Sequence, residues 1–412
     1  MTYYRLAGEK TAKPIFCAAI LLLLMFSRNS MYTFTIIPFN IVQLSMYGVI
    51  GLIGIWFLIS NKSRLKEVLL DKRMVFVLLA TAVYLIPVLV KRDLQMMNVS
   101  VLVCVYAGLF FSFFISVSAL AKIFVGIMAA LAAYSLLACY LLAPLVERGI
   151  FTVPIINYQD WRIFHNFVFA FPRILEGYLR NFGMFREPGV YQFFLNLALF
   201  CNHFVVRWSR PWVKWVICAL LAVTVVSTFS TAGFVVTALL AVAVFFREKW
   251  YRDKRVMILL GVMGLAVVIA AIVTVLRKGI LYNALYGMIE KLFVVNTSSA
   301  ARYEAVFVDL KIFLQHPLFG EKIAKALTSV ENNTSSTLLL YASYGILGGT
   351  WNVLGWLALA WDKERSIWLN LLLFAALMMS FNTQNLTTDV FFWLMPMMAL
   401  VEKGVPLLTK KG

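Results

Sequence analysis

The chain consists of long apolar segments separated by shorter polar stretches. The apolar residues run continuously instead of alternating with polar ones, which predicts helices and excludes the strands of a membrane β-barrel. Most segments approach the roughly 20 residues that a helix needs to cross a bilayer. Twelve such segments are predicted, at 14–27, 36–60, 74–91, 98–117, 121–145, 189–206, 213–229, 232–247, 256–276, 336–360, 367–381 and 389–402.

The composition agrees with this pattern, because 62% of the 412 residues are hydrophobic and only 14% are charged. About a quarter of the residues of a soluble domain are usually charged. We therefore predict an all-α polytopic membrane protein with these twelve transmembrane helices, forming a single integral membrane domain over residues 1–412. The N-terminus resembles a signal peptide, but no small-residue cleavage site follows it, so residues 14–27 are predicted to be an uncleaved first helix.

The net charge of +18 predicts a topology and not a nucleic-acid partner. Most of the 37 Lys and Arg residues fall in short loops on the side of the two termini, for example in NKSRLKEVLLDKR and REKWYRDKR. Short basic loops of multi-pass proteins face the cytoplasm. Both termini are therefore predicted to be cytoplasmic. Two long loops, 146–188 and 277–335, would lie on the other side, and their many aromatic and aliphatic residues favour folded, functional loops.

The loop at 146–188 is basic through arginine alone. A guanidinium group can bind phosphate or carboxylate through two parallel hydrogen bonds, which a lysine cannot do. Arg180 and Arg186 flank the segment that enters the membrane again, and this position favours a functional role. For the other three arginines, surface pairing at the headgroup level is an equal alternative. The five basic residues are Arg148, Arg162, Arg173, Arg180 and Arg186.

The motif REPG at 186–189 predicts where the next helix begins. Pro188 suits the first helical turn because its φ angle is already fixed near the helical value. The N-terminus of this helix, beside Arg180 and Arg186, would form an anion site. Glu187 has two interpretations: it caps the helix and pairs with Arg186, or it is a general base beside the bound anion.

The second long loop contains one predicted amphipathic helix, in NTSSAARYEAVFVDLKIFLQHPLFG. Ser298 or Ser299 could cap this helix, and HPLFG would end it. Arg302 and Tyr303 lie in its first turns. Arg302 is the stronger candidate for function, because it can face the arginines of the first loop. His316 precedes a proline and is expected to be a structural or exposed residue and not a catalyst.

The sequence lacks the common motifs of nucleotide and metal chemistry. It has no Walker motif, GxGxxG, HExxH or DxD pair, and its five cysteines lie inside apolar segments without metal-ligand spacing. We therefore expect no cofactor and no metal. The small residues of STFSTAGF, at 227–234, are expected to let two helices pack closely. If the protein is a transferase that uses neither nucleotide nor metal, its donor must carry its own leaving group. A lipid diphosphate is such a donor, and it fits an arginine-lined membrane face.

Several stretches resemble the superfamily of O-antigen ligases and polymerases. RNFGMFREPGVYQFFLNLAL is similar to the RxxGxFxEP signature of Wzy-type oligosaccharide repeat-unit polymerases. AARYEAVFVDLKIFLQHPLFGEK and NNTSSTLLLYASYGILGG are similar to the second conserved region of the wider superfamily, and STAG also fits. The resemblance covers most of residues 175–350.

The resemblance implies a metal-independent, GT-C-like glycosyltransferase in the bacterial inner membrane, with its active face in the periplasm. It would polymerise undecaprenyl diphosphate-linked oligosaccharide repeat units into O-antigen or a related surface polysaccharide. Membrane lipid and a Wzz-type chain-length regulator are the other implied partners. The predicted site consists of Glu187, Arg186 and Arg302 as catalytic residues, with Arg180, Arg173 and Tyr303 as further residues that bind the diphosphate or glycan.

Two other functions stay open. An O-antigen ligase would transfer the glycan to lipid A–core, but ligases carry a His-Asn pair ahead of the glycine of YGILG. The corresponding positions here, counted back from Gly345, are Thr334 and Ser335. A lipid-linked oligosaccharide flippase would usually place charged residues near the bilayer midplane, whereas these candidates cluster in two loops on one side. The sequence therefore favours the polymerase.

Overall fold

The protein is described by a computed structural model that is predominantly helical. The described residues are 9–32, 39–60, 66, 70–150, 152–158, 161–164, 167–175, 178–258, 261–262, 264–265, 269, 273, 297–330 and 333–409.

The helices follow the predicted apolar segments closely. Eleven of the twelve segments contain a helix, and the other, 256–276, lies mostly outside the described residues. The helices are α1 (Glu9–Met25), α2 (Phe39–Ser60), α3 (Arg73–Lys91), α4 (Met96–Phe111), α5 (Val117–Leu137), α6 (Ala143–Glu147), α7 (Pro188–Phe200), α8 (Pro211–Ser227), α9 (Thr231–Arg247), α10 (Thr297–Gln315), α11 (Ile323–Thr328), α12 (Ser336–Ala360), α13 (Ile367–Phe381) and α14 (Val390–Thr409).

Two stretches of helix in the described part of the chain are long and apolar enough to cross a membrane. One is α3, and the other runs continuously from Val117 to Glu147 through a π-turn at Ala138–Leu142 that joins α5 to α6. A second π-turn, Cys201–Val205, extends α7. The described part of the chain also contains shorter apolar helices of 10–17 residues, α4 and α8 among them.

Two helices form the centre of the bundle. Every residue of α7 from Val190 onward is buried, and so is every residue of α14 from Val390 to Ala399. A helix that is apolar on all sides is expected in such a position. The close packing of α4 on α14 depends on Gly108, because a Cβ at this position would lie 2.7 Å from the Cβ of Met397.

The first long loop contains a small sheet that the sequence analysis did not predict. The four strands are β1 (Ile155–Tyr158), β2 (Trp161–Phe164), β3 (Arg173–Leu175) and β4 (Tyr178–Arg180), antiparallel in the order β1-β2-β3-β4. Phe164 and Phe167 pack against Ala138 and Ala143, so the sheet rests on the end of α5 and on α6. The all-α class is thus confirmed for the bundle, with this sheet as an addition.

The helix α12 is broken at Gly345, where φ is 69° and ψ is −166°. The turn formed by HPLFG fits into the break, since the N–H of Ile346 donates to the carbonyl of Pro317 over 2.8 Å. Gly320 also has a positive φ. The backbone N–H of the next residue, Glu321, donates to the carbonyl of Ala342 over 2.7 Å. A Cβ on either glycine would collide with backbone atoms of the other segment. This interlock fixes the end of α10 against α12.

Candidate functional site

Arg186 is positioned by a backbone pairing between two distant segments. The N–H of Arg186 donates to the carbonyl of Asn29 over 2.9 Å, and the N–H of Met31 donates to the carbonyl of Met184 over 2.8 Å. Ser30 and Phe185 form an isolated antiparallel bridge between these bonds. The loop after α1 and the RxxGxFxEP motif are therefore one structural unit.

The glycine and the phenylalanine of that motif have packing roles. Gly183 has a φ of 54°, and a Cβ on it would lie 2.8 Å from the ring of Tyr191. The ring of Phe185 is fully buried and stacks on Phe194, with the ring centroids 4.2 Å apart. These contacts fix the loop directly above α7, which leaves Arg186 and Glu187 at the start of that helix.

The helix α7 begins at Pro188, as predicted. Glu187 is the N-cap residue, but its side chain accepts no capping hydrogen bond, so the predicted cap is wrong. The predicted ion pair is confirmed, because Arg186 Nε lies 3.4 Å from Glu187 Oε1. Both side chains are about a third exposed, at 27% and 31%, although Arg186 Nε itself is buried.

Arg180, the last residue of β4, contacts the turn between α8 and α9. Its Nε and one terminal nitrogen each donate to the carbonyl of Thr228 over 3.1 Å, and that nitrogen also donates to the carbonyl of Phe229 over 3.0 Å. The adjacent Asn181 is buried and donates to the Oγ atoms of Ser135 and Ser227. Arg180 therefore stabilises the turn between α8 and α9, where its charge complements the C-terminal end of α8.

The STFSTAGF turn has the packing role that its small residues predict. Ser230 caps α9 by accepting from the N–H of Gly233. A Cβ on Gly233 would lie 2.9 Å from the Cβ of Gln192, so α9 and α7 approach closely at this point. The turn is thereby held between Arg180 and the buried helix α7.

The other predicted site residues lie on other elements than the loop that carries Arg186, with Arg173 on β3 and both Arg302 and Tyr303 on α10. The backbone of Arg173 pairs with that of Arg180 across β3 and β4. Tyr303 lies on α10 with 60% of its surface exposed. The side chains of Arg173 and Arg302 lie outside the described residues, and so does the predicted proximity of Arg302 to the first-loop arginines.

A cluster that the sequence analysis missed lies beside Arg186. Asp389, which directly precedes α14, is fully buried and accepts hydrogen bonds from Ser27 Oγ and from Asn29 Nδ2, the latter over 3.0 Å. Arg28, between these two residues, donates to Thr388 Oγ1 over 3.1 Å. Burial, and after it the positive charge of Arg186, lower the pKa of the Arg28 guanidinium. We call Arg28, Arg186, Thr388 and Asp389 the arginine cluster.

The arginine cluster adjoins a polar layer at the ends of α12 and α13. Ser336, the first residue of α12, donates to the carbonyl of Gln384 over 2.6 Å, and its Oγ accepts from the N–H of Leu386 over 2.9 Å. The side chain of Gln384 fills the space beside Gly189, where a Cβ would collide with it. The segment NTQNLTTD at 382–389 thus connects the start of α7 with the start of α12.

The second long loop is attached to this layer through a buried carboxyl group. Asp309 of α10 is fully buried, and its Oδ1 accepts from Asn333 Nδ2 over 2.8 Å. Its Oδ2 is also buried and has no hydrogen-bond partner among the described residues. Burial raises the pKa of Asp309 to about 7, with the Asn333 hydrogen bond acting in the opposite direction. A carboxyl group with this pKa is about half protonated at neutral pH, whereas an ordinary aspartate is fully ionised there.

Two smaller predictions for the second loop have different outcomes. The described part of α10 begins at Thr297, and the side chains of Ser298 and Ser299 lie outside the described residues, so the predicted cap stays a prediction. HPLFG ends the helix as predicted, and His316 has the expected surface position, with Nε2 3.6 Å from Glu321 Oε2.

The chemistry of the site follows from its charges. Two guanidinium groups and the N-terminus of α7 favour a bound anion, and Glu187 supplies a carboxylate at the same helix start. The N-terminus of α14 is occupied by Asp389, whose Oδ1 accepts from the N–H of Phe391. The described residues include no group of three or more His, Cys, Asp or Glu side chains that could hold a metal ion. No protein-family model matches this chain, and no curated protein matches it closely enough to identify a relative.

Proposed function

We propose that the protein is a polymerase of undecaprenyl diphosphate-linked oligosaccharide repeat units, acting at the periplasmic face of the bacterial inner membrane. The observation that carries the proposal is the placement of Arg186 and Glu187. They lie side by side at the N-terminus of the buried helix α7, on the motif that resembles the Wzy-type signature. An anion and an acceptor hydroxyl could be bound there together.

The proposed membrane location is supported by the outer surface of the bundle. Large apolar side chains on α2 and α3 are more than half exposed, and such a surface is unstable in water but suits a lipid environment. Together with the apolar sequence pattern, this supports a bundle in contact with lipid. The proposal adds twelve membrane-spanning segments, cytoplasmic termini and a GT-C-like arrangement. Examples of these exposed residues are Leu44, Leu52, Ile59, Leu78 and Val90.

In the proposed reaction Glu187 accepts the proton of the acceptor hydroxyl as its oxygen attacks the anomeric carbon of the donor sugar. The bond between that carbon and the diphosphate oxygen breaks, and undecaprenyl diphosphate leaves with the bonding electron pair. Arg186 would bind the diphosphate and stabilise the negative charge that develops on the leaving group. Atoms and charge balance without a metal or a cofactor.

The test is an elongation reaction with purified protein. Undecaprenyl diphosphate-linked repeat units are incubated with the protein and EDTA, with and without lipid A–core, and the products are resolved by gel electrophoresis and mass spectrometry. The proposal predicts a ladder of longer lipid-linked glycans without lipid A–core. Transfer only in the presence of lipid A–core would identify a ligase. Movement of lipid-linked sugar across vesicles with no new glycosidic bond would identify a flippase.

A further inference from the structure

We propose that α10 lies flat in the periplasmic surface of the bilayer, with a stripe of its large apolar side chains inserted among the lipids. This position rests on the membrane location of the bundle, which belongs to the proposed function, but not on the polymerase reaction. The lipid contact sets the level of Arg302 and Asp309, which α10 carries. The apolar stripe consists of the exposed residues Tyr303, Val306, Phe307, Leu310 and Leu314.

Three faces follow one another around α10. A helix turns by about 100° per residue, so residues three, four and seven apart share a face. The first face packs on α12, because Ala305 and Asp309 are fully buried and the ring centroid of Phe313 lies 5.3 Å from that of Tyr341. The apolar stripe is the second face and lies next to the buried one. The third face is polar and exposed, and it consists of Glu304, Lys311 and Gln315.

The apolar stripe is unfavourable in water. Its side chains are between 38% and 68% exposed, and contiguous apolar surface of this kind marks a contact with lipid or protein. An apolar face beside a polar face is typical of a helix that lies in a membrane surface. The apolar face of such a helix enters the boundary between headgroups and acyl chains by about 5–10 Å. Tyr303 also suits this level, where tyrosine is enriched.

The first half of α12, up to its break, runs across one end of the bundle. At its start, Ser336 Oγ lies 3.0 Å from the carbonyl oxygen of Phe381, the last residue of α13. At its other end, the carbonyl of Ser343 accepts from Nζ of Lys91, the last residue of α3. The exposed Arg92 follows α3 directly. Both helix ends are on the predicted non-cytoplasmic side, so this half of α12 lies along that side of the bundle.

The helix α10 lies beside the first half of α12 and runs in the opposite direction. Asp309 accepts from Asn333, which precedes α12, whereas the carbonyl of Pro317 accepts from the N–H of Ile346 just beyond the break. The contact between Phe313 and Tyr341 lies between these two. Because α10 follows the first half of α12, it also runs along the predicted non-cytoplasmic side.

The apolar stripe continues into the apolar outer surface of the bundle. Beyond Leu314, the exposed Leu318 extends it to the interlock with α12. Ile346 and Leu347, which directly follow the break, are exposed, and so is Val90 near the end of α3. In the proposed topology these residues belong to membrane-spanning segments. A bilayer that covers them reaches the apolar stripe, and this continuity favours lipid as the partner.

The test uses single fluorescent labels on the full-length protein without its native cysteines, reconstituted in dioleoylphosphatidylcholine vesicles. The fluorophore NBD is attached to Phe307→Cys and Leu314→Cys on the apolar stripe. Lys311→Cys, on the polar face of the same helix, is the matched control, and Leu78→Cys, on the exposed apolar surface of α3, is the reference for lipid contact. Brominated phosphatidylcholine quenches labels in lipid. Iodide, present on both sides of the vesicle, quenches labels in water.

Labels at Phe307 and Leu314 should lose fluorescence to brominated lipid to within about a factor of two of the loss at Leu78, and should be shielded from iodide. Bromine near the headgroup should quench them more strongly than bromine at the end of the acyl chain, because α10 lies in the surface and does not span the bilayer. The label at Lys311 should be quenched strongly by iodide and weakly by brominated lipid.

Two results at the apolar stripe would refute the interfacial position. Iodide quenching at Phe307 and Leu314 equal to that at Lys311 would place the stripe in water. Shielding from both quenchers would show that protein covers the stripe, either another part of this chain or a second copy. A label at Leu78 that brominated lipid does not quench would contradict the membrane location itself.

The polymerase and the interfacial helix can fail separately. Elongation by a protein whose apolar stripe is in water would keep the polymerase and reject the interfacial helix. Insertion of the stripe into lipid by a protein that makes no glycan ladder would do the reverse.

Discussion

At the scale of single residues, Arg186 and Glu187 of the motif REPG form an ion pair at the start of α7. Glu187 makes no capping hydrogen bond to α7, and its carboxylate, which is 31% exposed, pairs with Arg186. A carboxylate that is exposed and held beside a guanidinium group suits proton transfer next to a bound anion. Its neighbour Pro188 begins the helix without needing a side-chain cap.

Replacing Glu187 by Gln should separate catalysis from binding. We expect the elongation rate to fall about 10²- to 10⁴-fold, the usual contribution of a general base, with the KM for the lipid-linked donor nearly unchanged. Initial rates at saturating donor measure the effect. Glu147→Gln, at the exposed end of α6, is the control. A Glu187→Gln rate within a few-fold of wild type would remove Glu187 from the proposed mechanism.

Asp309 predicts a pH dependence of stability. Its pKa is about 7 when buried against an ordinary value of 3.8, so the folded protein binds one more proton than the unfolded chain between these values. Stability should therefore decrease as the pH rises through this window, by up to about 1.4 kcal/mol per unit, and level off above pH 7.

The Asp309→Asn variant tests this dependence, because an amide can still contact Asn333 but cannot ionise. Melting temperatures in detergent between pH 4.5 and 8 should fall less steeply for Asp309→Asn than for wild type. Parallel curves for the two proteins would show that Asp309 does not carry the effect. Asp309→Ala is unsuitable as the test, since it also removes the hydrogen bond to Asn333.

At the scale of elements, the broken helix α12 explains two of the short patterns in the sequence. The glycine of YGILG and the glycine of HPLFG occupy positive-φ positions that face each other, and each gives the other backbone room. The position of α10, which carries Arg302 and Asp309, depends on this contact. The two patterns are thus parts of one joint.

Gly345→Ala should disrupt that joint. The substitution places a side chain at a φ of 69° and against the carbonyl of Leu318. The backbone strain should cost about 1–3 kcal/mol of stability, and the collision adds to this loss. Gly126→Ala is the control, because Gly126 lies on the exposed side of α5 with open space around it, and alanine there favours the helix. Melting temperatures measure both. Equal melting of Gly345→Ala and wild type would rule out the interlock.

The sequence predicts the helices well, but it does not predict the four strands or the break in α12. The helices were predictable because each has a continuous apolar run bounded by polar residues. The strands β1–β4 have three or four residues each, too few for an alternating pattern, and they lie in a loop of mixed aromatic and charged residues. The only local sign of the break in α12 is Gly345 itself. The sequence around Gly345 does not show that the turn at 317–320 packs into the break.

At the scale of the whole molecule, the site is assembled from segments at opposite ends of the chain. Ser27 and Asp389 are 362 residues apart, and Arg28 lies in the short stretch SRNS that carries no recognisable motif. The sequence therefore predicted Arg186 and Glu187, which share a motif with the start of α7, but missed Arg28, Thr388 and Asp389. These residues come together only through the packing of distant segments, and no local sequence pattern indicates that packing.

The proposed topology makes a prediction at this scale. In a variant without native cysteines, Ser329→Cys in the second long loop should react with a membrane-impermeant maleimide in cells whose outer membrane is permeabilised. Lys254→Cys should react only after the inner membrane is opened. Both residues are exposed, so access and not burial decides the outcome. Equal labelling of both positions before the inner membrane is opened would contradict the topology.

The most direct test of the central claim compares elongation by wild type with elongation by Arg186→Lys. Lysine retains the positive charge but not the planar fork, so a diphosphate grip by Arg186 predicts that Arg186→Lys makes little polymer while melting like wild type. Arg92→Lys should make the wild-type ladder. Near wild-type polymer from Arg186→Lys would contradict the account, because the charge alone would then suffice and the arginine would not be the diphosphate ligand.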